Sequence, residues 1–217
     1  MTRVIASLGC GKHEALLRIS TRTFAPYAER HGYELDLSTT VPDASRPAPW
    51  GKITILRRLV QEHELVVWID ADAMIVDGRR DIGDELAPDR LMALVTHHMG
   101  STAMPNAGVW ILRGGDEAVD LLDRIWDQDD LIDHPWWENA ALCRLLGYDL
   151  DPVRLGQATD LMIRRTQGLD PCWNSIPGAR TPAARINHYP GFALRTRRVL
   201  MTRDLARVHV KRLLRRW

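Results

Sequence analysis

The stretch VVWIDADAMIV, residues 66–76, sets Asp70 and Asp72 one residue apart directly after an apolar run. In an extended chain, residues two apart project to the same side, so both carboxylates can face one point. Two like charges held so close repel and are costly to desolvate unless a cation or a shared proton compensates. A hard divalent ion such as Mn2+ or Mg2+ meets that need, because it prefers oxygen ligands and still accepts phosphate oxygens from a bound molecule. The bland alternative is a solvated turn leading into VDGRR. Position favours the ion: the acids follow a buried apolar strand, and Ile75 and Val76 resume the apolar pattern at once.

Such a pair needs a strand to carry it and loops to surround it. RVIASL reads as a first strand, followed by a helix through HEALLRISTRTFAPYAERHG with Leu16, Leu17, Phe24 and Tyr27 as apolar positions and Gly32 as its stop. YELDL is a second strand. STTVPDASRPAP is a loop, WGKITILRRLVQEH a helix with Ile53, Leu56, Leu59 and Val60 on one face, and ELVVWID a third strand. Strand, helix, strand, helix, strand is the order of a parallel sheet with helices on its faces, an α/β fold with a βαβαβ half of the doubly wound type. Ligands bind at the carboxyl ends of such strands, which is where Asp70 lies. The second half is less regular: LMALV and GVWILR read as short strands, DEAVDLLDRIWDQ and WWENAALCRLLG as helices, and CWNSIP to INHYPG as strand and loop.

Composition narrows the classes. A chain of 217 residues fits one domain, and its longest uninterrupted apolar runs, such as Leu65–Ile69, are far short of the roughly 20 residues a membrane-spanning helix needs. The early apolar stretch is cut by Lys12, His13 and Glu14 with no cleavage pattern after it, so a cytoplasmic protein is expected. Cys10, Cys143 and Cys172 are odd in number and widely spaced, which suggests neither a disulfide framework nor a thiolate metal site. Charge is uneven: residues 195–217 hold nine Lys or Arg against Asp204 alone, a balance of +8 that leaves about −7 for the rest of a chain of net charge +1. That tail places Val210, Leu213, Leu214 and Trp217 on one helical face, fit to dock on its own domain, on a second subunit or on an anionic membrane, and such docking ranks above nucleic-acid binding. No stacking motif or groove-reading module accompanies it, so no nucleic-acid partner is expected.

Five stretches in order, YAERHGYEL, APWGKITILRRLV, VVWIDADAMIV, NAGVWILRGG and INHYPG, together resemble the galactosyl-, mannosyl- and xylosyltransferase family of fungi and plants. The resemblance implies a single glycosyltransferase A-type domain with a Rossmann-like mixed sheet, a divalent metal (Mn2+ or Mg2+), a UDP- or GDP-linked sugar donor, and transfer with retention to a small-molecule or glycan acceptor. It divides the chain into a nucleotide-binding half (1–80), a sugar and acceptor half (81–194) and a basic helix (195–217). It makes Asp70, Asp72 and His188 the metal ligands, with Asp70 also near the ribose. Lys52 faces the donor, Asn106 and Gly108 form the turn and strand under the donor sugar, and Glu138 and Asn139 stand at a helix start near the reacting sugar. GCGK lacks the spacing of a phosphate loop, yet Ser7, Gly9 and Lys12 border the nucleotide, and Gly191 and Arg195 follow His188 toward the diphosphate.

Three departures qualify the resemblance. Asn139 stands where the family has a glutamine, Arg195 stands beyond the place of the family's lysine, and the acceptor-side elaboration of larger relatives is missing. The last leaves a pyranose–furanose mutase acting without an acceptor, and a non-catalytic nucleotide-sugar binding module, as alternatives. Among the remaining aromatic and histidine signals, Trp136, Trp137 and Trp173 read as packing residues or sugar platforms, and His97–His98 as surface.

Overall fold

The computed structural model describes residues 2–99, 102–179, 181–214 and 217. Its first half follows the apolar pattern closely: strand β1 (Arg3–Leu8), helix α1 (Glu14–His31), strand β2 (Glu34–Ser38), helix α2 (Gly51–Glu62) and strand β3 (Leu65–Ile69). β1 lies parallel to both β2 and β3. A short strand, β4 (Ala73–Ile75), comes next, then β5 (Met92–Met99) and β6 (Thr102–Arg113). Helices α3 (Asp116–Trp126) and α4 (Trp137–Leu146), the hairpin strands β7 (Tyr148–Leu150) and β8 (Val153–Leu155), strands β9 (Thr166–Gly168) and β10 (Ile186–His188), and helix α5 (Leu194–Leu213) complete it.

The main sheet has the order β2-β1-β3-β6-β5-β9. β6 runs antiparallel to β3 and to β5, which makes the sheet mixed. Both faces are covered, and the strands divide their side chains between them by simple alternation. Val4, Ala6, Val66, Trp68, Trp110 and Leu112 pack with α2, α3 and α4. Ile5, Val67, Ile69, Val109 and Ile111 pack with α1 and α5 on the other face. Burying one such large side chain stabilises by roughly 1.5–3 kcal/mol, so the paired clusters fix the register of every central strand. The helical positions read from the sequence, Leu16, Leu17, Phe24 and Tyr27 in α1 and Ile53, Leu56, Leu59 and Val60 in α2, are all buried.

Two local readings change. GVWILR is only the second half of β6, and LMALV only the start of β5, because pairing carries the hairpin through Pro105, Asn106 and His97, residues of poor or ambiguous strand character. The tail forms α5 but does not keep its apolar residues on one side: Trp217 folds back to 6 % exposure against Gly78, and Val210, Leu213 and Leu214 stay in solvent. Arg215 and Arg216 of that tail lie outside the described residues. Among the described residues no helix is long and apolar enough to cross a membrane.

Candidate active site

The site lies at the carboxyl end of β3. Extension of the chain does not bring its two acids together. The Ala73 N–H donates to the Asp70 carbonyl at 2.9 Å, closing a tight turn over Asp70–Ala73 that swings Asp72 back beside Asp70. β10 then pairs antiparallel with β4, with His188 opposite Ala73, and so delivers an imidazole from the far end of the sequence. Ligand atoms of Asp70, Asp72 and His188 all fall within 4.8 Å of one another. His188 Nε2 is 3.3 Å from Asp72 Oδ1 and 3.6 Å from Asp70 Oδ2.

Each aspartate presents one oxygen to that point and has the other pinned. Asp70 Oδ1 accepts from the Trp68 indole N–H at 2.6 Å and pairs with Lys52 Nζ at 3.2 Å. Asp72 Oδ2 pairs with Arg197 Nη1 at 3.0 Å. Burial works to raise the Asp72 carboxyl, and His188 and Arg197 beside it outweigh that and hold it down at about 2.

The imidazole is oriented by a chain of amides. The Gly108 N–H donates to Asn106 Oδ1 at 2.9 Å, and the Asn174 amide donates to the same oxygen at 2.9 Å. That turns Asn174 Oδ1 toward His188 Nδ1, also at 2.9 Å. His188 therefore carries a hydrogen on Nδ1 and turns Nε2 to the aspartates, the orientation by which a second layer of groups fixes a metal-binding histidine. Gly108 makes room for the ring: a Cβ there would stand 2.2 Å from His188 Cε1.

Lys52 anchors the floor. Its ammonium reaches Asp70 Oδ1, Glu138 Oε1 at 2.8 Å and the Ala107 carbonyl at 3.2 Å, so its three N–H groups meet three acceptors at 5 % exposure. Desolvation would lower this amine, but Asp70 and Glu138 overcome it and the Lys52 pKa is raised. Burial also raises the Glu138 carboxyl against the pull of Lys52, and Glu138 Oε2 is buried without a hydrogen-bond partner. The Ala107 carbonyl is available because the β5–β6 register breaks between Leu94 and Val95, leaving residues 107–109 out of that ladder. Asn139 occupies the same bulge from the other side, its oxygen accepting from the Ala107 N–H at 2.8 Å and its nitrogen donating to the Pro105 carbonyl at 3.1 Å.

The structure thus gathers Asp70, Asp72, His188, Lys52, Glu138, Asn106 and Gly108 into one constellation, with Asn139 holding β6 behind it. Ser7 is fully buried with an unpartnered hydroxyl. Gly9 permits close packing, since a Cβ there would stand 2.5 Å from that of Leu17 and 3.3 Å from that of Ala71 in the aspartate turn. Lys12 and Arg195 are exposed, and Gly191 makes the turn after β10 with φ of 76°. Arg197, two residues beyond Arg195, is the cation that meets an aspartate, because the first turn of α5 faces it inward. Trp68, Asn174 and Arg197 had no signal of their own in the sequence. His97 is a further correction: it is 2 % exposed, its Nε2 is unpartnered, and burial together with His188 and His98 lowers its pKa to about 4. Trp173 is in the core and Trp137 is exposed at the start of α4.

An oxygen, oxygen, nitrogen donor set with Nε2 already aimed fits a divalent ion of the Mn2+ or Mg2+ kind. Charge agrees: three carboxylates face the two full cations Lys52 and Arg197.

Residues 5–108 match the profile of the galactosyl transferase GMA12/MNN10 family. That span holds the strand, helix and aspartate turn of the site. The first half of the chain is therefore similar to these glycosyltransferases. Over 118 residues the chain is 30 % identical to "Probable glycosyltransferase 4" of Oryza sativa subsp. indica, half of this chain and 24 % of the rice protein, so the match spans about a quarter of that relative's length. The fold is of the glycosyltransferase A type. A solved glycosyltransferase involved in glycosylation of the major capsid of PBCV-1 superposes with a TM-score of 0.72 at 17 % identity, over 94 % of this chain and all of the other. The galactosyltransferase LgtC, solved with donor and acceptor sugar analogues, superposes with a TM-score of 0.58 at 8 % identity, over 93 % of this chain and 95 % of the other.

Proposed function

We propose that the chain is a metal-dependent transferase that binds a nucleoside diphosphate sugar, UDP- or GDP-linked, and moves the sugar with retention to an acceptor hydroxyl. The observation that carries the reading is the convergence of Asp70, Asp72 and His188 at the ligand-binding edge of this sheet, each with its second polar atom already held. Asp70, Asp72 and His188 would hold the ion, which supplies positive charge to the diphosphate as it leaves. Lys52 keeps Asp70 and Glu138 in place. Arg197, within reach of Asp72, offers a guanidinium to a diphosphate oxygen, the part that Arg195 was expected to take. Glu138 turns its unpartnered Oε2 to a sugar hydroxyl or to positive charge developing at the anomeric carbon. Asn106 and Gly108 act from beneath His188, and Asn139 acts by keeping the bulge of β6 in shape.

Purified protein titrated with UDP- and GDP-sugars, with and without Mn2+, tests the reading. Binding that requires Mn2+ and release of nucleoside diphosphate on adding glycan acceptors are expected, with the product's anomeric configuration read by NMR. Binding and turnover that are indifferent to Mn2+ and to Asp72→Asn would end the proposal.

A further inference from the structure

Helix α5 packs through Met201, Asp204 and Val208, all buried. Its opposite side is also apolar. Val199, Ala206, Val210 and Leu213 recur at spacings of seven, four and three residues, a single helical stripe, and Leu214 adjoins it. Val199, Val210, Leu213 and Leu214 are 62, 54, 71 and 59 % exposed, half of the large apolar side chains so exposed among the described residues. Arg203 and Arg207 lie between and beside them, also exposed, and Arg195, Arg198, Lys211 and Arg212 extend the charge along the helix. The lone acid, Asp204, is turned inward to accept from Asn187 at 2.7 Å and from Tyr189. The helix is thus closed on one side and on the other shows aliphatic groups set among cations with no exposed carboxylate.

From this face we infer that α5 docks the protein on an anionic phospholipid surface, lying flat with Val199, Val210 and Leu213 in the boundary layer and the arginines among the headgroup phosphates. Charge complementarity selects that occupant. A second copy meeting the same face about a two-fold axis would bring arginine against arginine with no acid to separate them, and a nucleic acid would leave the aliphatic stripe without a partner. Trp217, held in the core with its carbonyl accepting from Arg30 at 2.6 Å, ties the far end of the segment to the domain, so the helix would dock as part of one rigid body.

Co-sedimentation of the full chain with vesicles decides it. The protein is expected to pellet with phosphatidylcholine vesicles containing about 30 % phosphatidylglycerol, not with phosphatidylcholine alone, and to be released near 0.5 M salt, where screening is nearly complete. Arg203→Gln with Arg198→Gln should weaken binding about 25-fold, each cation near an anionic surface counting for roughly fivefold. Val210→Ser with Leu213→Ser should weaken it as well. Both pairs lie in solvent and should leave the melting temperature unchanged, which separates loss of docking from loss of fold. No binding to anionic vesicles, or binding that neither pair reduces, overturns the inference. So does a dimer in sedimentation that the serine pair dissolves, or duplex RNA held as tightly as the vesicles and equally indifferent to the serine pair.

Discussion

Both ends of the same sheet carry a cluster of charges, and the two are built on different plans. At the amino end, Arg3 of β1 donates to the Tyr33 hydroxyl and to Asp81, Tyr33 donates to Asp81 Oδ1 at 2.6 Å, and the Gly83 N–H meets the same oxygen at 2.9 Å. One cation faces one carboxylate. At the carboxyl end, Asp70, Asp72 and Glu138 face Lys52 and Arg197, the His188 Nε2 points at the two aspartates, and one Glu138 oxygen has no partner. The first cluster balances its charge internally, with the Arg3 Nε left without a partner, and contributes stability. The second is held together against its own repulsion by the surrounding fold and keeps capacity for a cation and an anionic ligand from outside.

Substitutions can break that distinction or sharpen it. The largest effect is expected from Asp72→Asn, which keeps the shape and removes a charge: sugar transfer should fall by about a thousandfold or more, on the scale of the several kcal/mol a Lewis acid supplies. Mn2+ binding followed by electron paramagnetic resonance should disappear, and the metal-free melting temperature should fall modestly, because the ionised Asp72 is favoured by His188 and Arg197. A fall in melting temperature with Mn2+ binding intact would make this end as structural as the other. Lys52→Met comes next. It strands Asp70 and Glu138 in a buried place, and urea unfolding should show a loss of about 3–5 kcal/mol, partly recovered by adding Glu138→Gln.

Gly108→Ala removes no charged group from either cluster. The new methyl must displace the His188 ring, and Mn2+ affinity measured by calorimetry should drop about 10–100-fold, the range seen when a ligand's supporting shell is disturbed. Asp81→Asn at the amino end should cost about 1–3 kcal/mol and leave transfer per folded molecule unchanged. Burial opposes ionisation of Asp81, but the hydrogen bonds from Tyr33 and Arg3 win and lower its pKa. Its contribution is therefore complete above the ordinary carboxylate pKa of about 4 and is lost as pH falls through the lowered folded value, so the variant's stability should depend less steeply on pH in that acid window.

Much of the first half was legible because its signals are local. Alternation in residues 66–69 and helical spacing in α1 and α2 express burial on both faces of a sheet, and Gly32 ends a helix where expected. The placement of Asp70 at a carboxyl edge followed from that order. The reason given for the convergence of Asp70 and Asp72 did not survive, since a turn, not strand alternation, joins them; D-A-D is compatible with either, and the hydrogen bond from Ala73 back to Asp70 decides. Asn174 and Arg197 were invisible for a different reason: each meets its partner across a long stretch of chain, and nothing in CWNSIP or in RTRR states which residue will face inward. His97 read as surface because it stands beside His98 in a polar run; the β5–β6 hairpin turns alternate residues to opposite sides and buries the first of the two.

The sequence by itself determined the alternation of strands and helices, the acids at the end of the third strand, and the excess of positive charge after Arg195. These depend on residues near one another in the chain, where periodicity and charge count are read directly. Only the tertiary structure decided which oxygen of each aspartate is pinned, which nitrogen of His188 faces them, and which arginine turns inward. It also decided that α5 has two apolar sides, one used and one open. Those choices rest on contacts between distant segments, whose geometry is fixed when β10 pairs with β4 and α5 settles on α1.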